Sequence, residues 1–462
     1  MPAFLTHCGK PLNRTPNTPR PDTMRMIPFY ARLRGIVSPV GFCMRALLVL
    51  LHRWFGLFIA AFLIIAGLTG AVISWDHELD EWLNPHLFTS QSQGEPLPML
   101  ELVRHVENAD PRVRASFFAL EAEPGHNAEI WVDAKVNPDT GRRYELGYDH
   151  AFVDPVTGEI VGKREWGEIS LHPEHLMSFL YKLHFTLHLP EWNGINRWGI
   201  WLMGAAAMVW LFDTFIAMAL TLPRKRRTQK PAGKSWLQRW KPAWMIRRGA
   251  GAYKLNFDLH RAVGLWTFAL LLMLAFTSFS LNLYREIFYP VMSIVSETTP
   301  GPFETRTPTA LHDPVEPQVS WPALFQKART HADNRGWDEP MGDTFYSDNF
   351  AVFGVRFYYP GEDHDSGGMK VKSLYYDGRS AALIGEEEPW EGTVADVFSQ
   401  LQFPLHSGRI VGLPGRIIVS IMGIAVAMLS ITGLVIWWKK RKARVTSKRR
   451  KQEAAMAATT TP

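Results

Sequence analysis

The chain has 462 residues, a formal net charge of +6 at pH 7 and a mean hydropathy of −0.09. That mean value excludes a protein that lies wholly in the membrane, yet the apolar residues concentrate in four blocks, about 54–75, 198–222, 263–284 and 417–438. Each block is long enough to cross about 30 Å of hydrocarbon as a helix. We therefore expect four spans, with two large polar segments between them.

Basic residues cluster beside these blocks and predict the topology. Residues 1–45 contain seven Lys and Arg, residues 223–257 contain eleven, and residues 439–451 contain nine. Because cytoplasmic loops carry the excess of Lys and Arg, both termini and the middle loop are predicted to be cytoplasmic and the two polar segments to face outward. The positive charge is therefore attributed to membrane topology, and no nucleic-acid partner is expected.

In chain order, the prediction is a span, an outward domain and a span, repeated once. The first residues are rich in Pro and Arg and are expected to be disordered or, since Met44 would make a natural start, untranslated. The predicted segments are an N-terminal cytoplasmic extension (1–45), a first span (46–76), a first outward domain (77–196), a second span (197–222), a basic cytoplasmic loop (223–257), a third span (258–285), a second outward domain (286–411), a fourth span (412–438) and a basic cytoplasmic tail (439–462).

The second half of the chain repeats the first. A shift of 208 residues aligns His52-Arg53 with His260-Arg261, each at the start of a long apolar run. Each half therefore has one histidine near the cytoplasmic end of its first span. Because the halves have the same in–out–in order, we expect an axis along the membrane normal to relate them.

A second pair of histidines lies just before the second span of each half. Aligning LHFTLHLPEWNGINRWGIWLMG with LQFPLHSGRIVGLPGRIIVSIMG places His188 opposite His406 and Arg197 near Arg416, whereas His184 has a glutamine opposite it. His184 and His188 are four residues apart, so a helix beginning near residue 175 would present both on one face.

The two outward segments are predicted to be small α+β domains with antiparallel sheets. Apolar and polar residues alternate as in strands, and the turn signals Asp154-Pro155-Val156-Thr157-Gly158 and Asp377-Gly378 separate strands in the two segments. Residues 97–109 and 321–333 are expected to form helices that pack on the sheets.

Three stretches of the chain resemble the PepSY-associated transmembrane proteins. They are the opening span LHRWFGLFIAAFLIIAGLTGAVISWDHELDEWLNP, the strand–turn–strand FVDPVTGEIVG and the closing span GRIVGLPGRIIVSIMGIAVAMLSITGLVIWWKKRK. The resemblance covers residues 46–440, although the second PepSY-like unit is degenerate. It implies a four-span helical bundle in the bacterial inner membrane with two periplasmic PepSY-like domains. Members include proteins of iron uptake, some similar to di-haem ferrisiderophore reductases.

The histidines suit haem ligation, because haem b in a helical bundle is commonly held by two imidazoles from facing helices. His52 with His260 would bind one haem iron near the cytoplasmic face, and His188 with His406 would bind a second near the outer face. His184 stays an alternative ligand at the outer site. No Cys-x-x-Cys-His motif occurs, so two non-covalent haem b groups are expected.

Several charged residues are secondary candidates. Arg53 and Arg261 could anchor the protein in the lipid headgroups or contact haem propionates, and Arg197 and Arg416 lie beside the outer histidines. Asp213 lies inside an apolar block, where a carboxylate is costly and suggests proton delivery or a hydrogen bond to a haem-side group. A purely structural role is the competing interpretation for each.

The expected function is transfer of electrons across the membrane to a ferric chelate. Reduction of the iron of a ferric siderophore weakens its hold on hard oxygen ligands and releases Fe(II). The chain has no phosphate-binding glycine loop, so the donor would be quinol or a separate redox protein. The alternatives are a non-enzymatic regulator that binds a protein or peptide through its PepSY-like domains, which needs no haem, and a component of a siderophore transporter.

Overall fold

A computed structural model describes the protein at residues 44–223, 235–362 and 367–459. Residues 1–43 of the predicted N-terminal extension and part of the predicted basic loop therefore lie outside the described residues.

The first half begins and ends with a long apolar helix. The first of these is uninterrupted because its apolar run contains no proline. The elements of the first half are α1 (Met44–Ile73), α2 (Asp76–Leu83), α3 (Pro85–Phe88), α4 (Met99–Ala109), β1 (Val113–Ala119), β2 (Ala128–Ala134), β3 (Val136–Asn137), β4 (Arg142–Arg143), β5 (His150–Val153), β6 (Ile160–Arg164), α5 (Pro173–Thr186) and α6 (Trp198–Thr221).

The second half begins with a short connecting helix and then repeats the order of helices, strands and helices, with four strands in place of six. It has 3-10 turns at Lys241–Trp244 and Arg409–Val411 and a π-helical segment at Tyr284–Phe288. Its elements are α7 (Trp236–Trp240), α8 (Ala252–Trp266), α9 (Phe268–Asn282), α10 (Tyr289–Val295), α11 (Pro302–Thr305), α12 (Trp321–Arg335), β7 (Met341–Ser347), β8 (Val352–Phe357), β9 (Lys372–Asp377), β10 (Leu383–Glu387), α13 (Val394–Gln400), α14 (Gln402–Ser407) and α15 (Leu413–Thr459).

Three of the described helices, α1, α6 and α15, are long and apolar enough to cross a membrane. The third predicted span is not one straight helix, because α8 and α9 meet at an angle of 73°. At the bend, the Thr267 hydroxyl donates a hydrogen bond to the Val263 carbonyl at 2.8 Å, a back-bond that commonly bends helices. The described residues thus have three candidate spans, or four if the bent pair is one span.

The apolar helices pack in a ring in the order α1, α6, α8–α9 and α15, so that α1 lies diagonally opposite α8–α9. The closest approach is between α1 and α15. A Cβ atom added at Gly67 would lie 2.5 Å from the Gly423 carbonyl oxygen, so these helices touch backbone to backbone. We call the end of the ring beside the strands the sheet side, and the end from which α15 projects the tail side.

Eight of the ten strands, from both polar segments, join in one antiparallel sheet in the order β10-β9-β8-β7-β1-β2-β5-β6, and β3 and β4 form a separate two-stranded sheet. The halves meet where Phe117 and Phe118 of β1 pair with Phe345 and Thr344 of β7. The two segments, predicted as two domains, therefore share a sheet. The sequence contained no signal for this contact, because it joins strands more than 200 residues apart.

The predicted helices at 97–109 and 321–333 are confirmed as α4 and α12, and both pack on the sheet around Trp321 and Phe325. The predicted turns are confirmed too. One carboxylate oxygen of Asp154, and likewise one of Asp377, accepts hydrogen bonds from the amides two and three residues later. The two turns, one in each half of the chain, therefore share their geometry.

Candidate cofactor site

His52 of α1 and His260 of α8 face each other across the ring, with ring centres 6.1 Å apart. We call them the tail-side pair. His52 Nδ1 lies 2.9 and 3.0 Å from the two carboxylate oxygens of Asp213 on α6. His260 Nδ1 lies 3.0 Å from both the Leu429 carbonyl oxygen and the Thr432 hydroxyl on α15. The structure thus brings together the two histidines that the repeat aligned, and each is oriented by the second long helix of its own half.

His184 of α5 and His406 of α14 form a second pair, the sheet-side pair, whose ring centres are also 6.1 Å apart. The Thr69 hydroxyl lies 3.1 Å from His184 Nδ1, and the Thr277 hydroxyl lies 3.0 Å from His406 Nδ1. Each hydroxyl donates its own proton to a backbone carbonyl one turn earlier. It therefore accepts the Nδ1 proton of the histidine, and Nε2 keeps its lone pair.

His188 does not take the place opposite His406 that the alignment favoured, and this pairing needs correction. The helix α5 ends at Thr186, and Leu187 and His188 have φ values of 54° and 52°. This left-handed turn takes His188 off the helix face, so the four-residue spacing does not apply. Its Nε2 instead donates a hydrogen bond to the Phe179 carbonyl at 2.9 Å.

The equivalent contacts of Thr69 and Thr277 make His184 the structural counterpart of His406. His184 precedes the aligned residue, His188, by four positions, which is about one helical turn. The glutamine aligned with His184 is Gln402, which is buried and accepts a hydrogen bond from the Ser280 hydroxyl at 2.9 Å. The orienting threonines were not among the predicted site residues. A signal for them existed, since Thr69 and Thr277 coincide under the same 208-residue shift as His52 and His260.

The two pairs lie near opposite ends of the bundle. His52 and Thr69 are 17 residues apart on α1, which corresponds to about 26 Å at the helical rise of 1.5 Å per residue. Since the hydrocarbon core of a bilayer is about 30 Å thick, one pair falls near each face.

The spacing within each pair fits two imidazoles on one metal ion. A nitrogen–metal bond of about 2.0–2.1 Å, with the ring centre about 1 Å further, places two such centres about 6 Å apart. The observed separation is 6.1 Å in both pairs. All four rings also have Nδ1 engaged, the arrangement that fixes Nε2 as the ligand atom.

One glycine beside each histidine pair leaves room for the edge of an imidazole ring. A Cβ atom at Gly70 would lie 2.9 Å from His184 Cε1, and one at Gly433 would lie 3.2 Å from His260 Cε1. Within the described ranges, no group of three or more His, Cys, Asp or Glu residues could hold a bare metal ion. Two protein ligands per site suit haem, whose iron needs only axial ligands from the protein.

Burial lowers the pKa of His184 to about 4, and burial together with the neighbouring His184 lowers the pKa of His406 to about 3. Both imidazoles of the sheet-side pair are therefore neutral at pH 7. A neutral imidazole is the form that binds iron.

Arg53 and Arg261 lie beside the tail-side pair. The Arg53 guanidinium lies 5.3 Å from the centre of the Trp54 ring, and its Nε is buried without a hydrogen-bond partner. Arg261 donates to Asp258 at 2.9 Å and to the Pro242 carbonyl at 2.7 Å, and its Nε also lacks a partner. Both cations thus keep a donor available at this end of the bundle.

Arg197 and Arg416 instead connect the two halves. Arg197 forms an ion pair with Glu286 at 2.8 Å, and Arg416 forms one with Glu78 at 2.7 Å while also donating to the Ser74 carbonyl. Each pair joins an arginine of one half to the glutamate of the other, as expected for two halves related by an axis. Their observed role is to hold the halves together.

A cavity of about 490 Å³ lies between the sheet and the helices α2, α5 and α14. Tyr181 and Phe403 line it, and each lies three residues before a histidine of that pair, which is about one helical turn. Arg409 also lines it; its Nε is buried without a partner, and the nearest carboxylate, of Asp76, lies 3.8 Å away. The cavity, which sequence reasoning missed, thus lies about one helical turn from the sheet-side pair, and Arg409 is one of several charged side chains of both signs that line it.

The chain was compared with known proteins. It matches the family described as PepSY-associated TM region over residues 49–440. A search of curated proteins finds no match. The apolar helices α1, α6 and α15 agree with a multi-pass protein in a lipid bilayer. Because the match covers most of its length, the chain belongs to the PepSY-associated transmembrane family.

Proposed function

We propose that this protein is a haem-dependent oxidoreductase of the bacterial inner membrane, which reduces a ferric chelate such as a ferric siderophore during iron uptake. The observation that supports it is the presence of two histidine pairs near opposite ends of the bundle. Each pair has the 6.1 Å separation that suits one bound metal, and its Nδ1 atoms are already engaged. When bound, haem b supplies a one-electron carrier at each pair. His52 with His260 would hold one group and His184 with His406 the other.

In this proposal, α8 and α9 together form a span, so that the bundle has four spans and both termini are cytoplasmic. The basic residues at 439–451 follow the apolar part of α15 on the tail side, which the positive-inside rule assigns to the cytoplasm. The eight-stranded sheet then lies in the periplasm, with two PepSY-like units in it.

Electrons would pass from the tail side to the sheet side. Oxidation of one quinol releases two electrons and two protons, and each ferric ion takes one electron, so one quinol reduces two chelates. A separate redox protein would serve as donor equally well. The Fe(II) product binds more weakly to the hard oxygen ligands of the chelate and is released.

The cavity beside the sheet-side pair is the proposed approach for the chelate. Its volume of about 490 Å³ lies within the range of about 300–1,000 Å³ for small-molecule sites. Tyr181 and Phe403 would separate the chelate from the sheet-side histidines by about one turn of helix, and Arg409 would attract an anionic chelate.

Haem analysis of the purified full-length protein tests the proposal. We expect two haem b per chain and a reduced-minus-oxidised spectrum typical of six-coordinate haem. On mixing the reduced protein anaerobically with ferric citrate and a chromogenic Fe(II) chelator, we expect one Fe(II) per electron lost. Protein expressed with ample haem that binds none would refute the proposal and favour the regulatory alternative. Haem that ferric chelates do not oxidise would refute the assigned substrate.

A further inference from the structure

Asp213 breaks the symmetry between the two halves at the histidine pairs. Three of the four imidazoles direct Nδ1 at neutral oxygens, namely the hydroxyls of Thr69 and Thr277 and, for His260, a carbonyl and a hydroxyl on α15. The fourth, His52, directs Nδ1 at both carboxylate oxygens of Asp213, at 2.9 and 3.0 Å.

The corresponding partner in the second half is Thr432, which contacts His260 as Asp213 contacts His52. A threonine is therefore sufficient to orient an imidazole at this position. Asp213 is 6 % exposed and lies within the apolar helix α6, and among the described residues its ion pair is with His52. A buried carboxylate in a membrane helix is costly and is retained where its charge has a function.

The charge acts on the metal through one imidazole ring. A carboxylate that accepts the Nδ1 proton makes the ring a more basic ligand at Nε2. It also adds a negative charge close to an iron whose oxidised form carries one more positive charge than its reduced form. Both effects favour the oxidised state at the tail-side pair, and the sheet-side pair receives neither.

We propose that Asp213 is a positioning residue that lowers the reduction potential at the tail-side pair below that at the sheet-side pair, so that electrons move from the tail side to the sheet side. The inference rests on the proposed function, since it requires haem at both pairs. It adds the residue that gives the transfer its direction. In the transfer itself, one electron leaves the tail-side iron, which is oxidised, and reduces the sheet-side iron.

The test is a spectroelectrochemical titration of the full-length protein with both haems bound. Asp213→Asn keeps the size and one acceptor oxygen but removes the charge, and Asp213→Thr installs the residue of the second half. For both variants we expect the tail-side midpoint potential to rise by at least the equivalent of a tenfold change in the reduction equilibrium, about 59 mV for one electron. The sheet-side potential should stay as in the wild type. A single-site background, His406→Ala, assigns the tail-side signal.

The reciprocal variant covers the case in which Asp213→Asn loses its haem. Thr432→Asp places a carboxylate on His260, and we expect it to lower the tail-side potential of the otherwise native chain. Variants that retain two haems with unchanged potentials overturn this inference and leave the proposed function intact. Wild-type protein without haem refutes the proposed function instead.

Discussion

The Thr69 hydroxyl lies 3.1 Å from Nδ1 of His184, and this contact joins the first membrane helix to the short helix α5 that precedes the second. Because that hydroxyl donates its proton to a carbonyl of its own helix, it fixes both the rotamer and the protonated nitrogen of the imidazole. The same relationship recurs in the second half of the chain. It identifies the sheet-side histidines more firmly than the sequence alignment does.

Alanine variants distinguish the two possible partners of His406. We expect His184→Ala and His406→Ala each to reduce the haem content from two to one per chain, since each removes an axial ligand. His188→Ala should retain two, because that side chain bonds to a backbone carbonyl of α5. The pyridine haemochrome assay on purified protein measures this. Loss of one haem from His188→Ala alone would reinstate the aligned pairing.

Removal of the Thr69 hydroxyl should weaken haem binding at the sheet-side pair. Thr69→Val keeps the shape of the side chain but leaves the imidazole without its acceptor, and loss of such a partner typically costs about 10–100-fold in metal affinity. Haem titration of the apoprotein checks this. Thr214→Val is the matched control, because Thr214 is also buried and bonds to a carbonyl of its own helix. Equal weakening in both variants would contradict the prediction.

The backbone contact between α1 and α15 predicts that Gly67→Ala destabilises the bundle. The new Cβ would lie 2.5 Å from the Gly423 carbonyl oxygen, so the helices must separate, at a cost of about 1–3 kcal/mol. Gly56→Ala on the same helix has no atom within 4 Å of its Cβ and should be neutral or stabilising by about 0.5–1 kcal/mol. Thermal unfolding in detergent compares the two. A Gly67→Ala protein as stable as Gly56→Ala would show that the contact is looser.

Arg409 should affect binding of the chelate without affecting haem. Its side chain lines the cavity beside the sheet-side pair, and its Nε is buried without a partner. We expect Arg409→Gln to raise the KM for an anionic ferric chelate about tenfold, equivalent to about 1.4 kcal/mol, since a charge-assisted hydrogen bond is lost. Haem content and potentials should not change. Arg335→Gln, on the exposed side of α12, is the control; a KM shift of equal size in both variants would point to a general charge effect.

The Asp154 turn predicts an acid-sensitive contribution to stability. Burial raises the pKa of this carboxyl, but hydrogen bonds from Thr157, Ser92, Ser90 and Val156 outweigh it and lower the pKa from 3.8 to about 2. Above the pKa of the unfolded state, about 4, the ionised Asp154 carboxylate therefore stabilises the folded protein. This stabilisation is at most about 2 kcal/mol and is lost as the pH falls from about 4 to about 2.

Thermal unfolding between pH 6 and pH 2 tests this contribution. The Tm difference between wild type and Asp154→Asn should be largest at pH 6 and shrink below pH 4. Asp139→Asn, an exposed position between β3 and β4, controls for removal of an acid. A Tm difference that is constant with pH would contradict the prediction.

The local features of the fold could be predicted from sequence because their causes are local. Apolar runs indicated α1, α6 and α15, and Asp-containing turns indicated the strand connections. The proximity of His52 to His260 followed from the repeat, because equivalent positions of two related halves meet at the axis between them.

The features that sequence reasoning missed depend on single backbone angles or on distant contacts. The left-handed residues Leu187 and His188 follow the end of α5 at Thr186, so the helix stops two residues before His188 and the helical spacing does not hold. The 73° bend between α8 and α9 has no proline or glycine at the break to announce it in the sequence. The pairing of β1 with β7 has no signature in either strand, since nothing in these two seven-residue segments specifies a partner more than 200 residues away.

The shared sheet links the two halves during biosynthesis. Until β7 has been synthesised, β1 has β2 on one side and an unpaired edge on the other. Such an edge is prone to pair with another chain. The sheet of the first half therefore acquires its complete hydrogen bonding only after β7 has been synthesised, so folding of the first half depends on the second.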